Sequence, residues 1–258
     1  MNVWKEESGR GGCWKRSDRL MVIQSTTNKQ NVEGFVYLSL VWGTFLQPSR
    51  RQAVTQLVNA INKFTQIEAK VDKHTFLDSP ALLKYPFVLI TARTLFELTD
   101  SEARRLAVYL RKGGFVVADG GPPAALSLKA MFKQALGKDA RWLPIPNDHP
   151  IYHRFFDSFE GGPPIPGATI NSIPVDFLEG IFLMDCLVAV FTPDYGGLWE
   201  KEVGTAAFPH FRLGVNLVVF ALTREGSIAQ QQIDFYKHVG HNGRNPGSLT
   251  ESPSTSNN

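Results

Sequence analysis

From residue 34 onward, apolar residues fall into two alternating patterns. Residues 35–41, FVYLSLV, form a β-rich run long enough to cross a sheet. Pro48 and Ser49 then open a segment in which Val54, Leu57, Val58, Ile61 and Phe64 recur at helical spacing, which predicts one buried helix face. Residues 69–72 read as a short strand. Residues 87–91, FVLIT, are almost continuously apolar, as suits a parallel strand covered on both sides. Thr99-Asp100-Ser101-Glu102 has the form of a capping box, with Ala103, Leu106, Ala107 and Leu110 as the buried stripe behind it. Gly113-Gly114 should stop that helix, because glycine tolerates the left-handed position after the last turn. A strand at 115–118 leads through Asp119-Gly120-Gly121-Pro122-Pro123 into a helix over about 124–136. Residues 147–175, rich in Pro, Gly and aromatics, read as an ordered loop region. Residues 181–184 and 187–192 predict two strands turning near Asp185, and 213–223 predicts a closing helix burying Val215, Leu217, Val218 and Leu222. This alternation predicts an α/β fold with a doubly wound, mainly parallel sheet of the flavodoxin-like kind. No internal repeat is visible. The expected organisation is one domain over 34–236, between a disordered tail at 1–33 and another at 237–258, the latter rich in Gly, Asn, Ser and Pro.

Charge adds little to this picture. Residues 1–33 carry six Lys/Arg against four Asp/Glu, and residues 237–258 two against one, so the tails hold the whole formal charge of +3. A domain neutral between its tails lacks the electrostatic footprint of phosphate-backbone binding, so no nucleic-acid partner is expected. Two cysteines, Cys13 and Cys186, make no disulfide framework, and no Cys/His spacing suits zinc, so no cofactor is expected. The best apolar stretch, 180–193, is interrupted by Asp185 and falls short of a membrane span; the opening residues lack the apolar core of a signal peptide. A cytoplasmic location is the expectation.

The segment Tyr85-Pro86-Phe87 through Gly113-Gly114-Phe115-Val116-Val117-Ala118-Asp119, followed by Asp148-His149-Pro150-Ile151-Tyr152-His153, resembles a bacterial family known as domain of unknown function 4159. Leu178-Glu179-Gly180-Ile181 and Leu213-Gly214-Val215-Asn216 extend the resemblance, which spans roughly residues 34–225. The resemblance implies a class I glutamine-amidotransferase-like fold, similar also to that of trehalose-utilisation proteins, which share the Gly-Gly-strand segment and a later His-Pro-Ile. It implies possible partners among AAA-type ATPases and proteins with von Willebrand-type domains. It also implies that related chains are often exported or membrane-tethered.

In glutaminases of that fold, a sharp elbow after the Gly-Gly strand presents a cysteine. Here the elbow reads Asp119-Gly120-Gly121, without a thiol. Asp119 should stand at the C-terminal end of a central strand, where open α/β sheets place ligands, with Gly120 and Gly121 allowing close approach of a ligand. The plainer alternative is that Asp119 caps the next helix or holds a turn. Thr91 and Arg93 end a neighbouring strand and should share this rim, where Arg93 could grip a carboxylate or phosphate or simply be solvated. Asp148, His149 and His153 offer a carboxylate and two imidazoles. Pro150 interrupts any helix joining them, so turn chemistry competes with metal binding or proton transfer. Trp199-Glu200, after the Gly-rich Tyr195-Gly196-Gly197-Leu198, could line a sugar or peptide groove, or Trp199 could anchor a loop. Together these features favour a non-catalytic binding or assembly module. The alternative is a hydrolase-like enzyme for a small polar or carbohydrate substrate, using Asp119 and His149 as acid and base.

One outcome follows from the elbow alone. The purified protein should release no ammonia from glutamine, measured by a coupled dehydrogenase assay. Release that disappears in Cys186→Ser would place the nucleophile on the later strand instead.

Overall fold

The computed structural model describes residues 20–157, 169–170, 173–174, 178–201 and 208–234. In chain order the elements are β1 (Leu20–Gln24), β2 (Val32–Trp42), α1 (Arg51–Phe64), β3 (Gln66–Val71), β4 (Thr75–Phe76), β5 (Phe87–Ala92), α2 (Asp100–Arg111), β6 (Phe115–Gly120), α3 (Pro122–Leu136), β7 (Ala140–Pro144), β8 (Thr169–Ile170), β9 (Ile173–Pro174), β10 (Glu179–Leu183), β11 (Cys186–Thr192), α4 (Gly196–Trp199) and α5 (Phe208–Thr223). The protein is mixed α/β, built on a nine-stranded sheet in the order β1-β2-β5-β6-β11-β10-β7, with β3 and β4 also paired to β2. The pairs of β2 with β3, β4 and β5, of β5 with β6, and of β6 with β11 are parallel. The pairs at the two ends, β1 with β2 and β7 with β10 with β11, are antiparallel.

The central strands β5 and β6 are buried at every position, which is why their sequences are apolar without alternation. Helices cover both faces of the sheet. Asp119 of β6 reaches the amide of Gly196 at the start of α4, whereas a Cβ on the next residue, Gly120, would strike Ala124 and Leu128 of α3. Successive strand residues point to opposite faces, so α4, with α1 and α5 packed beside it, lies on one side and α3, with α2, on the other.

Helix α2 has the boundaries its sequence predicts. The Thr99 hydroxyl accepts the Glu102 amide at 3.3 Å, and the Glu102 carboxylate accepts the Thr99 amide at 2.8 Å, closing the capping box. The other Glu102 oxygen accepts the Thr44 amide at 2.6 Å, so one carboxylate caps α2 and ties down the loop after β2. Burial pushes the Glu102 carboxyl up, but hydrogen bonds from Thr99 and Thr44 outweigh it and hold the group below its ordinary range. At the other end, Gly113 adopts φ +88°. Its amide reaches the Leu110 carbonyl, and that of Gly114 reaches Tyr109. These two bonds form the Schellman pattern, which needs a residue without a Cβ penalty at the left-handed position.

Several expectations shift. The supposed tail over 1–33 is ordered from residue 20, because Leu20–Gln24 pairs antiparallel with Val32–Val36 as β1. The helix expected from Pro48-Ser49 starts at Arg51, since the Thr91 hydroxyl accepts the amides of Ser49 at 3.0 Å and Arg50 at 3.3 Å and holds them outside the helix. The closing helix begins five residues earlier than expected, at Phe208, with Pro209 in its first turn, where a missing amide hydrogen costs nothing. Strand β7 gave no signal, being short and largely exposed at the sheet edge. The hairpin forms as expected, its turn at Met184-Asp185 with Met184 at φ +55°. The expected tail at 237–258 lies outside the described residues. Among the described residues, no helix is long and apolar enough to cross a membrane.

The capping box gives a direct test. Thr99→Ala should lower unfolding free energy by about 1 kcal/mol with an unchanged denaturant slope. Because the Glu102 carboxyl is held below its ordinary value, its contribution is present near neutral pH and fades as pH falls through the folded-state value. Glu102→Gln should remove that acid-side loss.

Candidate functional site

The C-terminal ends of three adjacent parallel strands bring Thr91, Asp119 and Thr192 into one row. Thr91 is opposite Asp119 in the β5–β6 pair, and Thr192 is opposite Asp119 in the β6–β11 pair. All three side chains are fully buried. One Asp119 oxygen accepts the Thr192 hydroxyl at 2.7 Å, and the other accepts the Gly196 amide at 3.0 Å. Burial raises the Asp119 carboxyl to about 7, against the pull of the bonds from Thr192, Gly196 and the Tyr195 backbone; the charge of Asp194 adds to the rise.

Outside this row lies an ion-pair cluster. Arg50, in the turn before α1, donates from Nε to Asp194 at 3.1 Å and from Nη2 to both its oxygens at 2.8 and 2.9 Å; Nη1 donates to Glu200 at 2.9 Å. The guanidinium is largely buried, while the carboxylates keep 44% and 26% of their side-chain surface open. Such a fork-on-carboxylate pairing fixes orientation as well as charge. Close approach requires Gly196: a Cβ there would sit 2.5 Å from the Asp119 carboxylate and 3.0 Å from the Arg50 stem. Asp194 itself turns the chain, at φ +58°, its amide bonded to the Thr192 carbonyl and its carbonyl to the Gly197 amide.

The anticipated site residues thus separate into groups. Thr91, Asp119 and Glu200 meet at this rim, but Asp119 is fully buried and does not cap α3, whose N-cap is Gly121 with no side-chain bond. It instead holds the turn into α4, its two oxygens accepting the Thr192 hydroxyl and the Gly196 amide. Gly120 is buried against Ala92 and α3 rather than open to a ligand. Arg93 is exposed after β5. Trp199 is fully buried and donates its indole N–H to the His210 carbonyl at 2.9 Å, so it anchors the loop and lines no groove.

Asp148, His149 and His153 lie elsewhere. Nδ1 of His149 accepts the Ile151 amide at 3.1 Å, capping the short 3-10 turn Pro150–Tyr152, and Nε2 of His153 is 3.1 Å from the Asn147 carbonyl. Burial lowers the His149 value, against the opposing charge of Asp148. Asp148 is exposed, and no group of three His, Cys, Asp or Glu able to hold a metal occurs among the described residues. His149 packs 5.5 Å from the Phe220 ring, which stands 5.6 Å from Phe115 at the start of β6. Asp119 is four residues further along that strand, a rise of about 13 Å. The suggested acid–base pair is therefore split between opposite ends of the sheet. Asn216, fully buried in α5, fixes the same loop: its amide oxygen accepts the Phe155 and Phe156 amides and its nitrogen donates to the Tyr152 and Phe156 carbonyls.

Arg50, Asp194 and Thr192 escaped the sequence reading as site residues, since Arg50 lies far along the chain from the other two and none is marked by periodicity. The only hint lay in Asp194 before Tyr195-Gly196-Gly197, a turn-forming composition.

The strand order and the buried polar row together define an α/β protein with a largely parallel sheet and a tightly bonded C-terminal rim. The chain belongs to the family described as domain of unknown function (DUF4159), whose model matches residues 36–222. No curated protein matches the chain.

The raised Asp119 value has a definite sign. In the folded protein Asp119 keeps its proton to higher pH than in the unfolded chain, so its own contribution to stability is greatest in acid and falls as pH rises from about 4 to about 7. Urea titrations across that window should show this decline superimposed on other groups' contributions. Asp119→Asn should flatten it, and an unchanged slope would mean that Asp119 is ionised throughout.

Proposed function

We propose that this chain is a non-catalytic ligand-binding or assembly module on a class I glutamine-amidotransferase-like, flavodoxin-like scaffold. The observation that carries this reading is Asp119. It stands at the elbow where the amidotransferase resemblance expects a nucleophile, yet it is fully buried and both oxygens are occupied by Thr192 and Gly196. Cys186 is exposed at the start of β11, at the other end of the sheet from that elbow. The parallel strands run in the order β3-β2-β5-β6-β11, which is the flavodoxin-like arrangement and supports the scaffold assignment. In this reading the accessible chemistry of the rim is that of Asp194, Glu200 and Arg93. It suits hydroxyl-rich or amine-bearing ligands, or a protein surface offering such groups. AAA-type ATPases and von Willebrand-type domain proteins are the partners proposed, by resemblance.

The hydrolase reading keeps one supporting observation, a carboxyl near 7 at a strand end, the value a general acid needs. It requires a partner other than His149 and movement of the α4 turn to expose Asp119.

A thermal-shift screen of sugars, amines and hydroxy acids distinguishes the two. The binding module predicts a ligand that raises the midpoint, is recovered chemically unchanged by mass spectrometry, and loses its effect in Glu200→Gln. Turnover of that compound, abolished by Asp119→Asn, would replace this reading with the hydrolase one.

A further inference from the structure

A cleft of about 360 Å³ opens between the C-terminal half of α3, the edge strand β7 and its neighbour β10. That volume is at the lower end of the roughly 300–1,000 Å³ range of small-molecule sites. Its walls include Phe132, Trp142 and Ile181, and its rim carries Lys129, Lys133 and Lys138. Because α3 descends from the C-terminal end of β6, this cleft lies at the opposite end of the sheet from Asp119 and is independent of the function proposed for the rim.

Charge in this region is unbalanced. The acids around the cleft already have partners: Glu179 pairs with Lys129 at 3.1 Å, Asp139 with Arg111 at 3.2 Å, and Asp185 with Arg141 at 2.9 Å. Lys133 and Lys138 have no acidic partner among the described residues, and both are exposed. Lys133 in the last turn of α3 offsets the helix dipole, which accounts for one cation but not for two beside an aromatic wall. Lys129 also lies over the Trp142 ring, 4.7 Å from its centre, so an ammonium and an indole face already meet here.

We propose that this cleft binds a small organic anion with a flat apolar body and one carboxylate or equivalent acid group. The ring lies against Trp142, Phe132 and Ile181, and the acid group is held by Lys133 and Lys138. Apolar walls alone would accept any flat hydrocarbon, and lysines alone would accept inorganic anions. The combination selects molecules carrying both features.

The test uses the purified full chain and three probes: 1-naphthoate, the uncharged 1-naphthylmethanol, and inorganic phosphate, each titrated by calorimetry. Saturable binding of 1-naphthoate is expected, weakening as salt is added. Both other probes should bind at least about tenfold more weakly, and Lys133→Gln/Lys138→Gln should cost 1-naphthoate about tenfold, equivalent to about 1.4 kcal/mol. Both lysines are exposed, so the double variant should stay folded with at most the small drop in melting midpoint that loss of the Lys133 charge at the end of α3 brings, which a parallel melt verifies. Equal binding of the alcohol would reduce the cleft to a hydrophobic crevice. Equal binding of phosphate would reduce it to a cationic patch. Undiminished naphthoate binding by the double variant, or no binding by the wild type, would overturn the proposal.

Discussion

A carboxylate buried at the end of a parallel strand must have partners, and in this protein finding them organises one end of the molecule. Asp119 is on the central strand β6, flanked in register by Thr91 and Thr192. Leaving its oxygens unsatisfied would cost more than most single contacts contribute. Thr192 supplies a hydroxyl from the adjacent strand, and the chain then turns sharply through Asp194 so that the Gly196 amide can reach the second oxygen. That turn starts α4, seats Trp199 in the core and brings Asp194 and Glu200 to Arg50. Thr91, the third member of the row, uses its hydroxyl to hold the Ser49 and Arg50 amides, which sets where α1 begins. One buried acid thereby links β6, β11, α4 and the start of α1.

This arrangement favours rigidity over reactivity at the rim. The polar groups that look catalytic in the sequence are mostly consumed by backbone amides and carbonyls: Asp119 by the α4 turn, His149 by a 3-10 turn, Trp199 by the His210 carbonyl. The exceptions are Arg93, which is exposed, and Glu200, which shares the Arg50 guanidinium with Asp194 and keeps part of its surface open. A site held by an Arg-centred cluster presents fixed charges to a ligand without the side-chain entropy that flexible surface groups would lose. In the reading proposed above, the rim serves recognition, and the apolar, lysine-edged cleft under α3 is proposed as a second binding site at the far end of the sheet.

The loop that carries His149 shows the same economy on the opposite end. Asn216 projects from α5 and uses all of its amide on the backbone of residues 152–156, while the Arg154 guanidinium bonds Thr223 at the end of the same helix. An irregular segment can be packed against a core only when its amides and carbonyls are answered in this way. The histidines there complete that accounting.

What the sequence determined by itself was everything governed by near neighbours. The unbroken apolar runs of β5 and β6, the period of α1, the capping box and Gly113 stop of α2 and the hairpin around Asp185 are interactions between residues a few positions apart, so the pattern of residue types expresses them directly. The absence of a thiol at 119–121 is likewise a fact of sequence. The tertiary structure alone decided the rest. β1 and β7 are short edge strands whose pairing partners, β2 and β10, define them, and no local pattern marks such a strand. Arg50, Thr91, Asp119, Thr192, Asp194 and Glu200 come from five separate segments, and only the parallel crossovers bring them within hydrogen-bond distance. Whether Asp119 capped α3 or held a distant turn depended on which donors it met once the sheet had closed, and that is a property of register between strands rather than of the residues around it.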